Sequence, residues 1–440
     1  MTSRHRLRAV IAALALASAG FVTVIAAGPA SAAPTAPAPV SSTLVPLNLA
    51  PASTTASSHK PDIAAARTAA ATSNCSTVRA NLRQYAARHI RQVTCFTVNP
   101  KSTTAPAATT TSATAKDAAA SSWCTQSSGG DWVYDRTESC TDGTITSTIY
   151  DENGVILGSS IFDAQQDILL QPTNTTFVEN DTFTFVSGTL MGAEPGTLEF
   201  AVGCNSPCTL LTSHTYTAPL FIGGSTSANF TYEDTPGTQT PDTFLSNYAF
   251  DFVQPGTFTT QIATWSSAPT IRCDNLLGGQ PAGCVYPDYA PYLELSAATY
   301  GAGAVNVAVG EDLIPGSPGA STPLTRGDPG FTNSNRAFIC DSTFIYSSLV
   351  PSDSCDEYPF ASSQQSGGAL GLTGSSCVET MPIELNGVWY YELFNPYVSQ
   401  PCERGHVPLS ENQDIGAPLI SMINTNRVLI DDAYWVQVTN

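Results

Sequence analysis

The sequence predicts a multidomain protein in which an antiparallel β-sandwich of immunoglobulin-like kind, residues 122–300, precedes a small α+β domain, residues 331–440. Three observations predict this. From Trp123 to about Tyr300, short stretches alternate apolar and polar residues between turn signals, with almost no helical period. A Pro- and Gly-rich connector, residues 301–330, follows. Beyond it, mixed strand and helix signals surround a cysteine-flanked acidic motif.

Taken in order, Arg4, Arg6 and Arg8 precede an uncharged run from Ala9 to Ala27, and Ala30-Ser31-Ala32 fits the small-x-small cleavage rule. Residues 1–32 therefore read as a secretory signal peptide, and the expected location is extracellular, with no membrane attachment once the signal is removed. A retained signal anchor is the competing reading, disfavoured by the Gly and Ala content of the run.

All 12 cysteines lie beyond this segment, where an oxidising compartment favours disulfides over thiols. Their spacing suggests local pairs: Cys124 with Cys140, Cys204 with Cys208, Cys273 with Cys284, Cys340 with Cys355, and Cys377 with Cys402. Cys75 and Cys95 remain. Twenty residues of unbroken helix would hold those two about 30 Å apart, so either the helix breaks or each has another partner. Zinc is the rival explanation for clustered cysteines, but no histidine pair has finger or HExxH spacing.

Residues 33–121 are rich in Ala, Thr, Ser and Pro, too poor in apolar surface to offset ordering entropy, and read as a linker. Within it Val78, Leu82, Tyr85, His89 and Val93 recur at helical spacing among Arg79, Arg83, Arg88 and Arg91, so a basic amphipathic helix is expected near 75–95. In the sandwich, Ile145–Tyr150 and Val155–Phe162 flank the hairpin signal Asn153-Gly154. Further strands are expected at Thr182–Val186, Leu198–Val202, Asn229–Tyr232, Tyr248–Val253 and Phe258–Trp265.

The last 110 residues carry the chemistry. Cys355-Asp356-Glu357-Tyr358-Pro359-Phe360-Ala361 is followed by Val407-Pro408-Leu409-Ser410-Glu411-Asn412, then Gly416 and a closing strand from Arg427 to Val438. Two adjacent carboxylates beside a cysteine and a rigid Pro could meet an Asn on a separate turn. Such a set suits a hard cation, because Mg²⁺ takes oxygen ligands and keeps several waters.

This combination resembles the NucA/NucB family of secreted bacterial deoxyribonucleases, over roughly residues 331–440, and the preceding sandwich looks like the leader domain of actinobacterial members. The resemblance implies a fold akin to the ββα-metal nucleases, with Asp in place of their general-base His. It implies Asp356 as general base, ionised at neutral pH, and Asn412 as ligand to one Mg²⁺ or Mn²⁺. Glu357 would be an outer-sphere or orienting acid, and Glu411 could serve likewise. The expected partner is DNA, with RNA a second candidate.

Two features depart from the family pattern. Pro418 would interrupt a helix begun at Ser410, so the helix is expected to start near Ala417, leaving Asn412 in a turn. Charge is the second. Residues 33–121 hold eight Lys or Arg and two Asp, a net of +6, whereas residues 122–440 hold six Arg and 34 acids, a net of -28. Residues 331–440 alone carry -9, with no obvious basic groove to neutralise phosphates. A noncatalytic extracellular or wall-associated binding protein that retains the nuclease fold is therefore the alternative. His406 lies beside the motif and reads as structural. No GxSxG string supports a serine hydrolase, and Cys204-Asn205-Ser206-Pro207-Cys208 reads as a tight structural disulfide.

Overall fold

Alternation of large aromatic and polar residues sets the architecture of this computed structural model, which describes residues 44–50, 64–66, 72–100, 131–192, 195–204, 207–395 and 400–440. The expected signal peptide, Cys124 and most of the expected linker lie outside those residues. Two short helices, α1 (Cys75–Ala80) and α2 (Leu82–Ala87), lead into β1 (Gln92–Pro100). Long strands β2 (Glu138–Asp151), β3 (Ile156–Gln171) and β4 (Asn174–Gly188) follow. Next come β5 (Gly196–Cys204), β6 (Thr215–Leu220), β7 (Ser225–Glu233), β8 (Ser246–Val253) and β9 (Ala263–Ser266).

One sheet runs β7-β4-β3-β2-β1 and the other β6-β5-β8-β9, every one of these neighbours antiparallel. Their inward faces share one core, in which Phe162, Phe183 and Phe185 of the first sheet meet Phe200, Phe250 and Phe252 of the second. Each such ring fully withdrawn from water stabilises the fold by about 1.5–3 kcal/mol. The protein is thus β-rich with a sandwich body. The β2–β3 hairpin turns at Asn153-Gly154, where Gly154 has φ 85°.

Several boundaries move. The helix expected near 75–95 breaks at Asn81 and ends at Ala87. His89 turns the chain with φ 63°, and Val93 lies in β1. Breaking the helix brings Cys75 to Cys95, which are disulfide-bonded. Val78, Leu82 and Val93 pack on Tyr150, and Arg91 pairs with Glu152, so residues 72–100 belong to the sandwich and not to a linker. Another stretch of the expected linker, Val45–Pro46, pairs with Tyr390–Tyr391 in the C-terminal sheet. Phe258–Trp265 divides into a two-residue strand, Phe258–Thr259, and β9.

The expected connector is in part a helix. After β10 (Tyr292–Ser296), α3 (Ala297–Leu313) runs between two layers. One layer is a sheet in the order Val45–Pro46, β13 (Val388–Leu393), β12 (Val378–Leu385), β14 (Glu403–Pro408), β11 (Asp353–Tyr358). The other holds α5 (Leu409–Thr425) and the pair of β10 with β15 (Ala433–Thr439), while α4 (Thr332–Ile339) flanks the first sheet. Two C-terminal expectations are corrected. α5 begins at Leu409 and runs through Pro418, so Asn412 sits in its first turn. Arg427 to Asp432 is a turn with Arg427 and Asp431 at positive φ, and the closing strand starts at Ala433.

Arginines lock the two parts together. Arg136 and Arg272, from the sandwich side, both bind the carboxylate of Asp432, at 2.6 Å each. Arg427 reaches back to Asp274 at 2.7 Å and to the carbonyls of Pro172 and Pro281. Disulfides Cys204–Cys208, Cys273–Cys284, Cys340–Cys355 and Cys377–Cys402 form as their spacing suggests, and Cys140 is also disulfide-bonded. Among the described residues no helix is long and apolar enough to cross a membrane.

Candidate active site

β11 pairs antiparallel with β14, setting Asp356 opposite Gly405 and Glu357 opposite Arg404. Side chains alternate along a strand, so Asp356 and Tyr358 reach α3 while Cys355 and Glu357 reach α4. On the α3 side, Asn306 Nδ2 donates to Asp356 Oδ2 at 3.3 Å and to Glu403 Oε2 at 3.1 Å. Thr380 Oγ1 donates to the other Glu403 oxygen at 2.6 Å. Gly405 makes room for this contact, since a Cβ there would lie 1.7 Å from Asn306 Oδ1.

Asp356, Glu357 and Glu403 are 7 %, 4 % and 0 % exposed. Burial pushes the Asp356 carboxyl up to about 8, and the neighbouring Glu357 charge adds to the effect, against the opposing pull of Arg336 and Asn306. Without a cation beside it, burial therefore works against the ionised form expected of Asp356. Burial likewise raises Glu357, opposed by Arg336, and holds Glu403 well above the usual carboxylate range. A carboxylate pushed this way regains its charge when a cation lies beside it.

On the α4 side the Cys340–Cys355 disulfide ties the end of α4 to β11 and brings Arg336 to the motif. Arg336 Nε donates to Glu357 Oε1 at 2.9 Å, and the side chain remains 53 % exposed. Asp356, Glu357, Asn412, Arg336 and Arg326 line one cleft of about 670 Å³. The other four arginines of residues 122–440 are buried: Arg136, Arg272 and Arg427 in the lock described above, and Arg404 against Glu379. Of the remaining two, Arg336 pairs with Glu357, while Arg326 lines the same cleft and donates to the Val428 carbonyl.

Asn412 Nδ2 donates to Ser354 Oγ at 3.2 Å and to the Cys355 carbonyl at 2.9 Å, which leaves Oδ1 as its remaining acceptor. Glu411 points elsewhere. Its carboxylate accepts the backbone N–H of Ala302 at the α3 kink, where Gly301 has φ 54°, and it does not line the cleft. The expectation that Glu411 serves the metal is corrected: capping the kink uses its charge. His406 is buried between Asp353, at 2.7 Å, and Glu379, at 3.2 Å, and stacks on Phe344. Burial opposes its protonation, but the two carboxylates hold its pKa above the ordinary value. It is a structural group.

Among the described residues, no three His, Cys, Asp or Glu side chains form a metal-holding arrangement. Asp356 and Asn412 line the same cleft and carry oxygens of the hard-donor kind that a divalent cation takes together with waters. Sequence reading missed Asn306, Glu403 and the role of Arg336. One signal existed for Asn306, the lone polar residue in the apolar run from Ala302 to Gly310.

No protein-family model and no curated relative matches the chain. Solved structures similar over part of it include two alpha-2-macroglobulins. A crystal structure of a Salmonella mutant shares 12% identity over 30% of this chain and 8% of that one, with a TM-score of 0.19. The native E. coli protein shares 12% over 34% and 9%, also at 0.19. The matches span under a tenth of those relatives.

Proposed function

We propose that the protein is a secreted, metal-dependent, largely sequence-nonspecific DNA endonuclease of NucA/NucB kind, which hydrolyses phosphodiester bonds through a ββα-metal-like C-terminal domain. One observation carries this reading: Asp356, Asn412 and the two available arginines line the same cleft. Asp356 takes a proton from the water whose oxygen forms the new bond to phosphorus, while the bond to the 3′ oxygen breaks in line. Its raised pKa makes it a stronger base than an exposed carboxylate. Asn306 and Glu403 behind it fix its orientation. Arg336 and Arg326 offer guanidinium donors to the phosphate. Mg²⁺ or Mn²⁺ at Asp356 and Asn412 would supply Lewis-acid neutralisation of the charge on the phosphate and the leaving oxygen. Disulfides throughout the folded part support an extracellular location.

The net charge of -9 over residues 331–440 favours a second reading, a noncatalytic binding protein on the same fold. Plasmid incubated with purified protein and Mg²⁺ or Mn²⁺, with and without EDTA, separates the two. EDTA-sensitive degradation supports the nuclease, and an intact plasmid at every metal concentration removes it.

A further inference from the structure

Beyond the acids, the cleft has a wall that hydrolysis of a phosphodiester does not require. From Asn412, the cleft-lining residues of α5 continue through Gly416, Leu419, Ile420 and Ile423, the three- and four-residue spacing of one helix face. That face extends about 16 Å from Asn412 to Ile423. It is apolar from Ile415 to Ile423 and bounded by the polar Gln413 and Asn424, Ile420 is 60% exposed, and Phe360 and Leu277 line the cleft beside it.

Phosphate chemistry explains the acidic end and not this wall. Duplex DNA presents phosphates outward and keeps its bases stacked, so a protein holds it with many Lys and Arg contacts. This cleft has two arginines, Arg326 and Arg336, and residues 331–440 carry a net charge of -9. A single strand differs, because its bases are free to leave the stack and can lie against apolar side chains. A half-open cleft of about 670 Å³ lies in the size range of small-molecule sites and accepts a nucleotide.

We infer that the cleft takes single-stranded nucleic acid, with the phosphate at Asp356, Arg336 and Arg326 and an unstacked base on the apolar face of α5. The inference rests on the nuclease reading above and names its substrate class. Here affinity that the missing cations do not supply comes from base contact.

The test uses the full secreted chain with Mg²⁺ or Mn²⁺ at low salt. Cleavage of a single-stranded oligonucleotide free of hairpins is compared with cleavage of the blunt duplex of the same sequence, for wild type and Ile420→Ser. Ile420 is exposed, so an unchanged melting temperature is expected and is measured alongside. The expected result is a kcat/KM at least tenfold higher on the single strand. Ile420→Ser should lower that value about five- to tenfold through KM, and change the duplex rate less than twofold. Equal rates on both substrates, or equal losses on both in Ile420→Ser, overturn the inference and leave the nuclease reading standing. No cleavage of either substrate by wild type removes both.

Discussion

Asn306 donates its side-chain amide to Asp356 Oδ2 at 3.3 Å, joining the middle of α3 to the acidic motif fifty residues later. The residue that stands behind the candidate base comes from a segment that reads as a connector. Asp356 is therefore held from two sides, by α3 and by its own strand, where the Glu357 backbone N–H donates to Oδ1 at 3.1 Å.

Replacing the base gives the first prediction. Asp356→Ala should lower the cleavage rate by roughly 10² to 10⁴, the usual loss for a positioned general base, with the fold retained because Asn306 keeps Glu403 as its acceptor. In the metal-loaded protein the rate should fall as pH drops through the pKa of this base, which burial raises and a bound cation lowers. Added divalent cation should shift this limb to lower pH. Residual activity within about threefold of wild type in Asp356→Ala would remove the assignment.

Asn412 has two tasks, and the second prediction separates them. Its Nδ2 pins Ser354 and Cys355, while its Oδ1 is the remaining acceptor beside the acids. Asn412→Ala loses both, so metal demand should rise and stability should drop by about 1–3 kcal/mol from the acceptors left unpaired. Asn412→Asp keeps oxygen ligands and loses the donor. It should recover metal affinity without recovering the melting temperature. A metal titration identical in all three proteins places the cation elsewhere.

How much of this was legible follows from where each side chain points. The sandwich strands were readable because one face is aromatic, as in Phe177, Phe183 and Phe185. The alternation of β4 nevertheless hides two carboxyls, Glu179 and Asp181, which share that inward face. Helix α3 was illegible for the opposite reason. It is apolar on all sides because it is buried on all sides, so no helical period marks it, and its glycines mimic a connector. Pro418 misplaced the start of α5 because a proline inside a helix removes one N–H bond, a loss that packing of Ile415, Met422 and Ile423 offsets here. Asp356, Glu357 and Asn412 were found by motif. Glu403 and Arg336 required the β11–β14 register and the Cys340–Cys355 bridge.

Glu179 and Asp181 lead to the third prediction. They lie between the two sheets, bound by Gln166 and by the hydroxyl of Tyr232, with Tyr248 from the opposite sheet beside them. The charge of Asp167 adds to the surrounding field. Burial raises Glu179 to about 7 and also raises Asp181. A folded-state pKa above the unfolded value means that the folded chain binds the extra proton. The stability this contributes is complete below about pH 4 and is lost as pH rises through about 7. Melting temperature should therefore fall between pH 5 and pH 8, and Glu179→Gln should flatten the fall. A wild-type melting temperature that rises over this interval would reverse the argument.

The final prediction concerns the lock between the two parts of the chain. Arg427 is fully buried, and it binds Asp274 and the carbonyls of Pro172 and Pro281 from across the junction. Arg136 and Arg272 reciprocate on Asp432. Removing one member of such a network strands the others without water, at a cost of about 3–5 kcal/mol. Arg427→Met, which keeps much of the side-chain volume, should lower the melting temperature by roughly 4–7 °C for a single cooperative unit of this size. Because the network joins both cores, the loss should appear as one shifted transition and not as the early melting of one part. The same geometry says that residues 331–440 do not fold alone, since they lack α3, β10 and the Val45–Pro46 edge strand that complete their sheets and core. Calorimetry of the wild type decides the matter: a single transition is expected, and two separate ones, or a folded and cleaving 331–440 fragment, would show that the sandwich is dispensable to the site.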